Sequence, residues 1–125
     1  MSIRSFFCLG LLSVLPLLTH AQQAMEMYIP IGASVGVSNI SSVIGKVAAI
    51  DGQNKSFTIN DASGTLTIAV PDKTPVWQDR SKAAGPNKIG SATDLKAGLT
   101  VEVKYQEAAR GPSLTAEWIK IETPR

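Results

Sequence analysis

Histidine and cysteine occur once each in this 125-residue chain, as His20 and Cys8. Both stand in an N-terminal stretch unlike the remainder. Residues 1–21 carry Arg4, an apolar run from Phe6 to Leu18, and then Thr19-His20-Ala21, with small residues where a signal peptidase reads. The run is shorter than the roughly 20 residues a membrane-spanning helix needs. It reads as a secretory signal rather than an anchor, so the expected location is periplasmic or secreted, with no stable membrane insertion after cleavage. Cleavage after Ala21 removes 21 of 125 residues and leaves 104 with neither cysteine nor histidine. Such a chain forms no disulfide, builds no zinc site from thiolate or imidazole, and has no Ser-His or Cys-His catalytic pair.

An excess of charge of either sign is also lacking. Once Arg4 is gone, 11 basic residues face 10 acidic ones, which argues against a phosphate-tracking, nucleic-acid-binding surface. The carboxylates are placed where solvated structural ones live. Asp51, Asp61, Asp72, Asp79 and Asp94 fall in turns or caps, and Glu102, Glu117 and Glu122 on outward strand faces. No spacing forces the burial or the like-charged neighbour that raises a general acid's pKa. Neither an enzymatic role nor a cofactor is expected.

What is present is a set of short, alternating apolar runs. Val43 to Val70 reads as three strands joined by two turns: Val43 to Ile50 first, then runs in which Phe57 and Ile59, and Leu66, Ile68 and Val70, alternate with polar or small residues. Asp51-Gly52-Gln53-Asn54 and Asp61-Ala62-Ser63-Gly64 supply turn chemistry, so antiparallel hairpins are the natural joins. Gly45 suggests a bend or bulge that lets one strand serve two parts of a closed barrel. Pro71 and Pro75 then take the chain out of the sheet with at most a short extended piece, and 78–90 reads as the longest exposed loop. Ser91 to Gly98 reads as one helical turn, capped by Ser91 or Thr93 and closed by Gly98. Leu99 to Tyr105 alternates as a fourth strand. In the fifth, Leu114 and Ala116 are one residue out of phase with Ile119 and Ile121, and a bulge at Glu117-Trp118 brings both pairs to one face.

The fold expected is all-β: a small five-stranded antiparallel OB-like barrel with one short helical turn. It spans 43–123, after the signal at 1–21 and an extended arm at 22–42. The arm has no sustained period, so its removal is expected to be tolerated. Gly45 to Asp51, Asp94 to Gly98 and Thr115 to Ile121 resemble the opening, turn and closing motifs of small bacterial periplasmic OB-fold-like domains, many of unknown function. That resemblance implies a non-enzymatic binding or protein-interaction module. Some periplasmic OB-fold proteins of this size carry Cu(I) on Met and His ligands beside a tryptophan. The corresponding alternative here is a Cu(I) carrier using Met25 and Met27; a second is an oligosaccharide-binding barrel using outward threonines.

The site expected for a ligand or partner is the barrel end at Trp77, Gln78, Asp79, Arg80, Lys82 and Lys88. A loop on a rigid scaffold, an aromatic at its root and three cations beside Asp79 suit a small anionic ligand or a periplasmic protein. Trp118, at the bulge, reads equally as core or as contact surface.

Overall fold

The computed structural model describes residues 25–33, 41–62, 64–105 and 112–124. The signal segment and most of the turn at 107–112 lie outside them. Seven strands follow in order: β1 (Ser41–Asp51), β2 (Ser56–Asp61), β3 (Gly64–Ala69), β4 (Val76–Asp79), β5 (Lys88–Ile89), β6 (Thr100–Tyr105) and β7 (Ser113–Glu122). The sheet order is β3-β2-β1-β6-β7-β4-β5, and an added β3–β7 pairing closes β1, β2, β3, β7 and β6 into a five-stranded barrel.

The five expected strands are those of the barrel, and their alternation sets the core. Phe57, Ile59, Ile68, Val101, Val103 and Ile119 are almost wholly buried, with Leu66 half-buried against them. β1 does serve two parts of the barrel, pairing with β6 through 41–46 and with β2 through 46–51. Its register shift lies between Val47 and Ala49, not at Gly45. Gly45 is needed for a different reason: a Cβ there would come 2.4 Å from the Asn60 carbonyl oxygen of β2. The bulge in β7 falls where the phase slip places it. Lys104 pairs with Trp118 and Tyr105 with Ala116, leaving Glu117 as the extra residue, and Leu114, Ala116, Ile119 and Ile121 all enter the core.

Two expectations are corrected. The chain does not leave the sheet after Pro71: Val76–Asp79 forms β4, pairing in parallel with 119–122 of β7, and Lys88–Ile89 forms β5 beside it, inside the stretch read as loop. Pro75 does not prevent this, because the proline carbonyl accepts the Ile119 N–H at 3.0 Å, and an acceptor is what proline retains. The sheet is therefore mixed. The hairpins are antiparallel, whereas β7 meets both β3 and β4 in parallel. Between β5 and β6, a 3₁₀ turn at Ala92–Asp94 is capped reciprocally by Ser91 and Asp94, and Gly98, at φ +91°, follows it.

Truncating Ile68→Ala is expected to lower unfolding free energy by about 2 to 4 kcal/mol through lost burial and a cavity. Gly45→Ala is expected to be comparably harmful although it adds only a methyl group, because it meets backbone. Denaturant midpoints of the two variants measure both.

Candidate functional site

The pairing registers align a row of outward-facing residues across the barrel: Ile44 opposite Glu102, Glu102 opposite Lys120, Lys120 opposite Trp77, and Trp77 opposite Ile89. Trp118 lies one step along β7 from Lys120, on the same face. The two indoles are 5.5 Å apart between centroids and tilted by 38°, and Lys120 Nζ sits 4.7 Å over the Trp118 ring, a cation–π geometry. Both tryptophans are buried, yet neither belongs to the barrel core. They are interior residues of the outer face.

Residues 25–33 close over this face. Their helical turn is held by Tyr28 N–H to Met25 O and Ile29 N–H to Glu26 O, each 3.1 Å. Lys120 Nζ donates to Glu26 Oε1 at 2.9 Å, Ile31 N–H to Asp79 Oδ2 at 2.8 Å, Gly32 N–H to Glu102 Oε1 at 3.2 Å, and Asn87 Nδ2 to Met27 O at 3.0 Å. Lys120, Glu102 and Asp79 are consequently 0, 2 and 4 % exposed. This corrects the reading of Glu102 as an outward, solvated carboxylate and of Asp79 as a turn residue. Both are outside the barrel but inside the protein. Burial pushes the Asp79 carboxyl up; hydrogen bonds from Ile31 and Ser81, with the nearby Lys120 charge, outweigh it and hold the group below its ordinary 3.8.

Trp77, Asp79 and Trp118 thus come together without the cations expected beside them. Lys82 pairs with Glu122 at 3.3 Å, the Arg80 guanidinium lies against Gly85, and Lys88 is exposed on β5, its charge felt by Asp94. Met25 is 70 % exposed, and the backbone of Met27, not its sulfur, makes the bond to Asn87. Sequence reasoning missed Lys120 and Glu26. The β7 bulge that turns Ile119 and Ile121 inward necessarily turns Trp118 and Lys120 outward together, so the signal for Lys120 was present.

A second feature, an open cleft of about 690 Å³, lies at one end of the barrel. Phe57, Val70, Val76 and Leu95 form its apolar lining, between the β1–β2 turn, the segment after β3 and the 3₁₀ turn. Lys55 and Asp72 at its rim pair with each other, Asp51 is occupied by Asn54, and the Ser91 and Thr93 hydroxyls bond mutually. Thr74 lines the same cleft, and its Oγ1 is the single buried side-chain oxygen without a hydrogen-bond partner among the described residues.

The molecule is thus a small closed β-barrel domain with an outer face roofed by its own chain and a cleft in one end. Residues 44–120 match the model of the domain-of-unknown-function family DUF5666. The chain belongs to that family. No curated protein matches it. Among solved structures it is similar to the crystal structure of Ag(I)CusF, at 19 % identity over 66 % of this chain and 97 % of that one, with a TM-score of 0.44. It is likewise similar to CusF–Ag(I) residues 10–88 from Escherichia coli, at 19 % identity over 68 % and 94 %, with a TM-score of 0.45. Among the described residues, no helix is long and apolar enough to cross a membrane.

Deleting 22–36 is expected to lower the thermal midpoint by at least several degrees, against the tolerance its lack of period suggests, since a loss of about 1 kcal/mol moves a domain of this size by roughly 4 to 8 °C. Acid is expected to undo the same contact. Because Asp79 has a lowered pKa in the folded protein, its contribution is complete above 3.8 and is lost as pH falls through the lowered value. The slope of stability against pH in that acid range is expected to flatten in Asp79→Asn.

Proposed function

We propose that this protein is an exported, non-enzymatic binding module whose barrel-end cleft takes a small neutral ligand with an apolar body and one hydrogen-bonding group. The observation that carries this reading is the cleft itself, an open concavity of about 690 Å³ walled by Phe57, Val70, Val76 and Leu95, the usual form of a ligand site. The Ser91 and Thr93 hydroxyls in its lining would meet the ligand's hydrogen-bonding group. At the rim Lys55 and Asp72 neutralise one another and Asp51, an anion, is already hydrogen-bonded by Asn54, which favours a neutral ligand over the anionic one expected at the basic loop.

The non-enzymatic part has its own support. Asp51, Asp79 and Asp94 all have lowered pKa values, which keeps them as anions, whereas a general acid needs the opposite. Export rests on the N-terminal sequence. A Cu(I) carrier would need soft ligands converging beside a tryptophan, and here the cation over Trp118 is the protein's own Lys120 ammonium.

The test is a screen of small neutral alcohols and amides, followed by methyl NMR of Val70, Val76 and Leu95. A ligand is expected to shift these signals and to be blocked by Ala92→Trp, placed on the exposed wall. Thr74→Val is expected to make the free protein more stable by about 1 kcal/mol, because the hydroxyl it removes is buried without a partner, and to leave binding unchanged. Binding unaffected by Ala92→Trp would remove the cleft as the site.

A further inference from the structure

The contacts that seat residues 25–33 read peptide chemistry rather than a packed apolar surface. Two buried carboxylates accept consecutive backbone N–H groups, from Ile31 and Gly32. An asparagine amide donates to a backbone carbonyl, that of Met27. A wholly buried ammonium, stacked on an indole, meets the carboxylate of Glu26, five residues ahead of the first of those N–H groups. The barrel core includes no residue of this strap, so the strap occupies the outer face without forming part of the barrel interior.

Two further observations bear on how it is held. A helical turn this short has no stability of its own, so the face must supply the order. The next seven residues in the sequence, 34–40, are Ser-Val-Gly-Val-Ser-Asn-Ile, and because they join the strap to β1 in one chain the strap is present at high effective concentration. A tethered segment bound largely through its backbone is replaceable by another segment with the same groups in the same order.

We propose that this outer face is a peptide-recognition surface, kept filled by the strap, and that its partner is a segment of another protein presenting an acidic side chain five residues ahead of two consecutive N–H donors. The acid goes to Lys120, over the Trp118 ring, and the donors go to Asp79 and Glu102. The site is separate from the barrel-end cleft: Val76 lines the cleft, whereas its neighbour Trp77 stands in the outer row.

The experiment uses the full chain and a fluorescently labelled peptide of residues 25–33. In the chain, Glu26→Gln weakens the strap's charged anchor and Gly32→Pro removes the N–H that reaches Glu102; both changes lie in the strap and leave the barrel sequence intact. Each variant is expected to bind the peptide at least about tenfold more tightly than the unaltered chain does, since competition from the tethered strap is reduced. Emission of the two tryptophans should shift on strap release and return on binding. A peptide carrying Glu26→Gln is expected to bind at least tenfold more weakly than the original. Failure of both variants to bind the peptide, whether or not their tryptophan emission has shifted, overturns the proposal. Self-association of the variants that excess peptide reverses would assign the face to the strap of a second copy, and would equally overturn a partner of different identity. Peptide binding without any change in methyl signals at the cleft keeps this outcome distinct from the small-ligand reading.

Discussion

One strand has to satisfy three neighbours. β7 bonds to β6 along one edge, and on the other to β3 through Ser113 to Thr115 and to β4 through Ile119 to Glu122. A regular strand of that length would send either Leu114 and Ala116 or Ile119 and Ile121 to the wrong side, because side chains alternate strictly. The extra residue at Glu117 resolves the conflict, and its exposed carboxylate pairs with Lys104 across the strand at 3.2 Å. Everything else is arranged around this adjustment. The barrel core receives all four apolar residues, and the outer face receives Trp118 and Lys120 side by side.

The outer face is the costlier arrangement. An ammonium at 0 % exposure loses its hydration, and a buried ion pair recovers that loss only with good geometry and further polar partners. Lys120 has Glu26 at 2.9 Å and the Trp118 ring beneath it, with Glu102 and Asp79 on adjoining strands. The net stability of such a pair is small; its value is selectivity. An apolar strap could slide over an apolar face, whereas this one has a single placement in which a carboxylate, two N–H groups and a carbonyl all meet their partners.

The barrel was legible because its strands are amphipathic. Phe57, Ile59, Ile68, Val101 and Val103 alternate with polar or small neighbours, the phase slip at Glu117-Trp118 could be resolved only by a bulge, and Ser91 carries the chemistry of a helical start, although the turn ends at Leu95 and not at Gly98. β4 and β5 were not legible: β4 has only four residues between prolines and a turn, and its partner is a parallel strand more than forty positions away. The strap was illegible for a deeper reason. Apart from Glu26, its attachment runs through backbone groups, a C=O that every residue has and N–H groups that every residue but proline has, so the pattern of side chains reports little of it. Of the candidate site, Trp77, Asp79 and Trp118 were found by residue type and position, while Thr74 stood out only once the bonds around it could be followed.

The closure of the barrel has a consequence for how the molecule assembles. Each hairpin joins strands that are neighbours in sequence, but the ring also needs two distant pairings: β1 with β6, some 54 to 64 positions apart, through six residue pairs, and β3 with β7, some forty-six apart, through three. Loop-closure entropy sets such contacts against all the local ones, and three parallel pairs give the second little to offset that cost. The three-pair seam is therefore the narrower of the two closures, so the Thr67 amide, which donates to the Pro112 carbonyl at 2.8 Å, should exchange with solvent water before those of the β1–β2 hairpin.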